Sequence, residues 1–133
     1  MPPLWLRLAP LLILSACTDP DRDLPASYRS IAVPSERLSR SATRQRGREL
    51  YLRHCALCHG QRADGRGLRQ RSLSSPPADF TDPAWRAQTS PRKVYHVIRE
   101  GVPGTPMASW KSLTEEQCWD LTAFLLSVME EGP

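Results

Sequence analysis

Cys55-Ala56-Leu57-Cys58-His59 constrains this chain more than any other stretch. Two thiols three residues apart, followed at once by an imidazole, have the C-x-x-C-H spacing of a c-type haem attachment site. Each cysteine supplies a thioether to a haem vinyl group, the histidine reaches the iron, and the two spacers set the reach. The motif occurs once, so the expectation is one covalent haem c. A thioredoxin-like dithiol is expected near a βαβ pattern, and no β-rich alternation is present. A zinc site needs a second ligand pair, and the other cysteines, Cys17 and Cys118, lie in no such arrangement.

A length of 133 residues sets one domain as the upper limit. Met1 to Ala16 carries Arg7 and then the apolar run Leu8 to Leu14, too short to cross a bilayer as a helix. It reads as a signal peptide over 1–16. Leu14-Ser15-Ala16-Cys17 resembles a bacterial lipobox. That resemblance implies cleavage before Cys17, lipidation of its sulfur and a lipid anchor. The protein is then exported to the periplasmic face of a bacterial membrane, where haem c is also attached. Several acyl chains hold a protein stably where one is marginal.

Residues 17–40 read as the lipidated N-terminus and a flexible tether. Pro20, Pro25 and Pro34, three early aspartates and scattered arginines show no hydrophobic period. As a random coil, residues 18–40 would span about 25 Å. The net charge of +4 falls by one with loss of Arg7. Two haem propionates bring the whole closer to neutral. No aromatic–basic recognition pattern points to nucleic acid.

Residues 41–133 read as the haem domain. Gly47, Leu50, Tyr51 and His54 recur at helical spacing and run into Cys55. Gly47 in a helix interior costs about 1 kcal/mol against alanine, which close helix–helix approach would justify. Arg44, Arg46 and Arg48 sit where the helix dipole disfavours cations. After His59, Gly60, Gly65, Gly67 and Ser72 to Pro77 read as loop. Ser90-Pro91 predicts an N-cap and N1 proline, with a helix from about Pro91 to Glu100 stopped by Gly101. Thr114 to Gln117 is a capping box, with Leu113 and Cys118 at the staple positions. Cys118, Leu121, Phe124, Leu125, Val128 and Met129 then make one apolar face, ending near Glu130.

From about Thr43 to Met129 the chain resembles a small class I cytochrome c. The strongest match is Gly47-x-x-x-Tyr51-x-x-x-Cys55-x-x-Cys58-His59-Gly60, joined by Asp79-Phe80, Gly101-x-Pro103-Gly104-Thr105-Pro106-Met107 and Asp120 to Leu125. The resemblance implies an all-α fold, three main helices wrapped around one covalently attached haem. Gly47 and the aromatic of the first helix would cross the last helix at Leu121 and Phe124.

A soft methionine sulfur as second axial ligand favours Fe(II) and raises the potential. Met107, in a loop stiffened by Pro103 and Pro106, is the candidate, and the resemblance points to the same residue. Met129 on the apolar face reads as core, and His96 as an exposed helix residue. His54 reads as structural. The resemblance implies that a proline carbonyl, at Pro76 or Pro77, accepts from His59. Trp110 and Arg71 are candidates to meet the propionates. Arg62, Arg66, Arg69 and Arg71 read either as a docking patch for acidic redox partners or as a solvated loop. Cys118 reads as a buried, inert thiol, with an intermolecular disulfide as the alternative.

The expected function is one-electron transfer by a membrane-tethered monohaem cytochrome c in a bacterial respiratory or related chain, not catalysis. The alternatives are a fixed haem subunit of a larger membrane oxidoreductase, such as a quinol-oxidising complex, and a haem enzyme or gas sensor with an open sixth site.

Overall fold

The computed structural model describes residues 19–131, and all regular structure among them is helical. In chain order the helices are α1 (Ala26–Arg29), α2 (Ser35–Leu38), α3 (Ser41–His54), α4 (Ala56–His59), a 3-10 turn (Gln70–Ser72), α5 (Pro83–Ala87), α6 (Pro91–Glu100) and α7 (Glu115–Glu131). The three main helices expected from the sequence are α3, α6 and α7. Among the described residues no helix is long and apolar enough to cross a membrane. The signal peptide and Cys17 lie outside the described residues, as does the side chain of Met129.

The packing of α3 against α7 is the most extensive in the fold, and Gly47 makes it possible. A Cβ built there would stand 1.9 Å from the Asp120 carbonyl oxygen and 2.8 Å from Phe124 Cβ. Below the crossing, Tyr51 is fully buried, its ring 5.1 Å from that of Phe124. The arginines at the start of α3 answer to α7 rather than to their own helix dipole. Arg44 pairs with Glu130 at 2.9 Å and Arg46 with Asp120 at 2.9 Å.

The helix signals in the sequence are realised as hydrogen bonds. The Ser90 hydroxyl accepts from Lys93 N at 3.0 Å, Pro91 opens α6, and Gly101 closes it at φ 70°. Gln117 N donates to Thr114 Oγ1 while Thr114 N donates to Gln117 Oε1, the reciprocal pair of a capping box. Leu113 and Cys118 are both buried. Helix α5 is not among the expected helices; Asp82 caps it by accepting from Ala84 N.

Residues 19–40 depart from the expected flexible tether. Asp21 takes a hydrogen bond from the Ser90 hydroxyl and an ion pair from Arg92, and Arg92 Nε donates to the Ile31 carbonyl at 2.8 Å. Leu24 is buried, Tyr28 packs edge-on against His96 and donates to Glu100, and Arg37 pairs with Asp120 at 2.7 Å. The segment therefore wraps the outer faces of α6 and α7. Its two helices are single turns, too short to show a hydrophobic period. Its polar groups find partners about sixty to eighty residues away, which no local pattern records.

Candidate functional site

Helix α3 delivers the cysteine motif directly. Its cap is Cys55, and Ala56–His59 make one more helical turn before Gly60 leaves it at φ 86°. The loop after Gly60 folds back over that turn, with Gly65 N on His59 O at 2.8 Å, Gly67 N on Cys58 O at 3.1 Å and Arg69 N on Leu57 O at 3.0 Å. Gly67 lies so close that a Cβ would come within 2.3 Å of the Leu57 carbonyl oxygen. Tyr51 clamps the turn from below, donating its hydroxyl to Gly60 O at 2.7 Å.

His59 is held on both sides. Its Nδ1 donates to the Ala78 carbonyl at 3.1 Å, and the Phe80 ring stacks on it with centroids 4.7 Å apart. A carbonyl only accepts, so Nδ1 carries the proton and Nε2 is left with its lone pair. Burial holds the imidazole pKa below its ordinary value, opposed by the Ala78 bond, so the ring stays neutral as a ligand must. The acceptor corrects the expectation of Pro76 or Pro77: both prolines line the cavity, but the carbonyl one residue further on takes the bond. Nothing in a loop sequence distinguishes three consecutive carbonyls.

Met107 arrives from the loop after α6. Gly101, at positive φ, leaves no room for a Cβ, which would sit 2.6 Å from the Met107 carbonyl oxygen. Val102 N donates to that carbonyl at 3.1 Å, and Trp110 N ties the far end of the loop to Ile98 O at 2.9 Å. The Thr105 hydroxyl bridges the interior, donating to Val102 O at 2.8 Å and accepting from Met107 N at 3.2 Å.

These elements enclose a cavity of about 640 Å³ whose wall includes Cys55, Cys58, His59 and Met107, a size that suits a cofactor. Leu73, Phe80, Val94, Ile98, Leu121 and Leu125 make much of the rest apolar. Burial, with Cys58 beside it, pushes the Cys55 thiol up to about 12, so a free sulfur there would be un-ionised. Two adjacent sulfurs, a neutral imidazole with Nε2 unprotonated and a thioether lining one largely apolar cavity are the donor set that a covalent haem requires. Among the described residues no group of three or more His, Cys, Asp or Glu comes together to hold a bare metal ion, as a structural zinc site would need.

The ring of candidates around the motif sorts unevenly. Trp110 lines the cavity, its ring 5.1 Å from His54, which lines it too. Arg71 is exposed in the 3-10 turn and off the wall; the cations that line it are Arg69 and Lys93. Lys93 and Val97, four residues apart on α6, both line the cavity. His96 is half-buried under Tyr28, not exposed as expected, and is absent from the cavity wall. Arg62 and Arg66 are exposed. Cys118 is a buried free thiol.

The family described as cytochrome C oxidase, cbb3-type, subunit III matches residues 42–125. The chain belongs to this family. It is a class I c-type cytochrome that carries covalent haem c, and its chemistry is haem-based electron transfer. The cytochrome is also similar to a chain of the Kuenenia stuttgartiensis reducing HAO-like protein complex Kustc0457/Kustc0458, at 31% identity and a TM-score of 0.55 over 63% of its own length. It spans only 41% of that chain. A second solved relative is the KustC0563 c-type cytochrome, at 32% identity and a TM-score of 0.52, covering 62% of this chain and 95% of that one. No curated protein matches the chain.

Proposed function

We propose that this cytochrome is a one-electron carrier of a bacterial respiratory or related chain, exported, cut before Cys17 and held by lipid on the periplasmic face of a membrane. Cys55 and Cys58 form the thioethers, and His59 and Met107 are the axial ligands. The observation that carries the reading is that those four residues line one cavity. Haem bound there supplies a reversible one-electron Fe(III)/Fe(II) couple.

The side chains do the rest of the work. Ala78 O fixes the His59 tautomer, which leaves Nε2 unprotonated as the ligating nitrogen. The Met107 loop presents a soft sulfur from a backbone held at both ends. Arg69 and Lys93 offer positive charge at the wall for anionic groups such as propionates.

The family description favours a second reading, a fixed haem subunit of a larger membrane oxidoreductase. Purification in mild detergent separates the two: a carrier comes out alone, a subunit with stoichiometric membrane partners. Ligation is tested by visible spectroscopy with carbon monoxide. Wild type should show a weak far-red sulfur-to-iron band when ferric and take up no carbon monoxide when ferrous. Met107→Ala should lose the band and bind the gas. A wild type with no band and rapid uptake would overturn Met107 as ligand and bring forward the enzyme or sensor reading.

A further inference from the structure

We propose that the haem domain is held flush against the lipid surface, with the N-terminal edge of α6 turned toward it, instead of swinging on a tether. The inference rests on the reading of Cys17 as the acylated terminus and concerns the residues after it. From Asp21 onward the segment is pinned repeatedly: Asp21 on Ser90 and Arg92, Leu24 buried, Ile31 O on Arg92, Tyr28 on Glu100, and Arg37 on Asp120. The free length is therefore not residues 18–40. Cys17 lies only four Cα–Cα steps before Asp21, a reach of at most ~14 Å.

Acyl chains on Cys17 must then enter the bilayer within that distance of the seat of Asp21 on α6. The seat lies in the first turn of the helix, at the Ser90 cap and Arg92. Lys93, in the same turn, and Thr89, just before the cap, line the haem cavity. The haem site thus sits within one helical turn of the membrane-facing edge. Such a placement favours partners whose own redox group lies near the membrane plane. The opposite end of α6, ten residues on and ~15 Å away, carries Glu100 paired with Lys111 and faces away from the lipid.

The test uses the full mature lipoprotein in vesicles of phosphatidylethanolamine and phosphatidylglycerol. A nitroxide is attached in turn at Q88C and S112C, two exposed positions flanking the two ends of α6. Cys118 is buried and leaves the new thiol to react. Power saturation with a nickel chelate carried on lipid headgroups should show at least fivefold greater accessibility at position 88 than at 112. A ten-residue Gly-Ser insertion after Thr18 should bring the ratio below twofold. Equal accessibility without the insertion, or a ratio that survives it, would overturn the docked edge. Intact mass separates the two layers of the proposal. A protein without acyl chains overturns the anchor and the proposal together, whereas an acylated protein with equal accessibilities overturns the docking alone.

Discussion

Gly47 shows how one residue sets the spacing of two helices. Its missing side chain lets α3 approach the Asp120 carbonyl of α7 to a distance no Cβ would tolerate, and the contact is with backbone, which cannot swing aside. Gly47→Ala has the better helix propensity by about 1 kcal/mol. It should nonetheless destabilise, because overpacking costs about 1–3 kcal/mol or more. A lowered denaturant midpoint with an altered haem spectrum is the expected result; a stability equal to wild type would mean that the helices can part freely. At His59 a single carbonyl does comparable work, fixing by one hydrogen bond which nitrogen keeps its lone pair. The residue type was legible from the motif, but the carbonyl that orients it was not.

At the scale of an element, the loop from Val102 to Met107 behaves as a small bracket with Thr105 at its centre. The hydroxyl makes two of the bonds that hold Met107 in place. Each is worth about 0.5–1.5 kcal/mol, so Thr105→Val, losing both, should raise the population of the displaced loop by about 5- to 150-fold. The expected signature is a weakened far-red band with partial carbon monoxide uptake, restored by Thr105→Ser. An unchanged spectrum in the valine variant would show that Pro103 and Pro106 suffice. The α6 and α7 helices carry caps and stops that were readable residue by residue, because capping is a contact between neighbours in sequence. The N-terminal helices were not readable, since single turns display no period and their anchors lie on α6 and α7.

The whole molecule couples its N-terminal wrap to pH through a phenol. Burial first, then the bond to Glu100, pushes the Tyr28 pKa up to about 12, and burial also raises Tyr51 and Tyr95. These are all three tyrosines of the chain. A raised folded-state value means that the native state favours the protonated phenol. The stabilisation is complete below about pH 10, the unfolded value, and is lost as pH climbs from there toward 12. Tyrosinate absorbance should therefore appear above the ordinary phenol range and together with loss of the wrap. Tyr28→Phe should release residues 19–31 to protease at neutral pH; protection as strong as in wild type would show that the phenol is not what seats them. Glu100 answers in the opposite direction. Lys111 and then Tyr28 hold its carboxyl below the usual range, so its contribution is present above the unfolded carboxylate value and fades as pH falls through the lower, folded one.

What the sequence alone determined is what neighbours in sequence can decide: the Cys55, Cys58 and His59 motif, the caps at Ser90 and Thr114, the stop at Gly101, and the helical runs that became α3, α6 and α7; the all-α fold followed from the resemblance. Those features depend on spacings of one to four residues, which a linear chain displays directly. Tertiary structure decided the rest. It brought Met107 and His59 to one cavity, chose the Ala78 carbonyl over those of Pro76 and Pro77, put Arg69 and Lys93 on the cavity lining and left Arg71 in solvent. It also turned an expected tether into a docked segment. Each of these rests on contacts between residues roughly twenty to eighty positions apart, whose partners exist only once α3 and α7 have crossed.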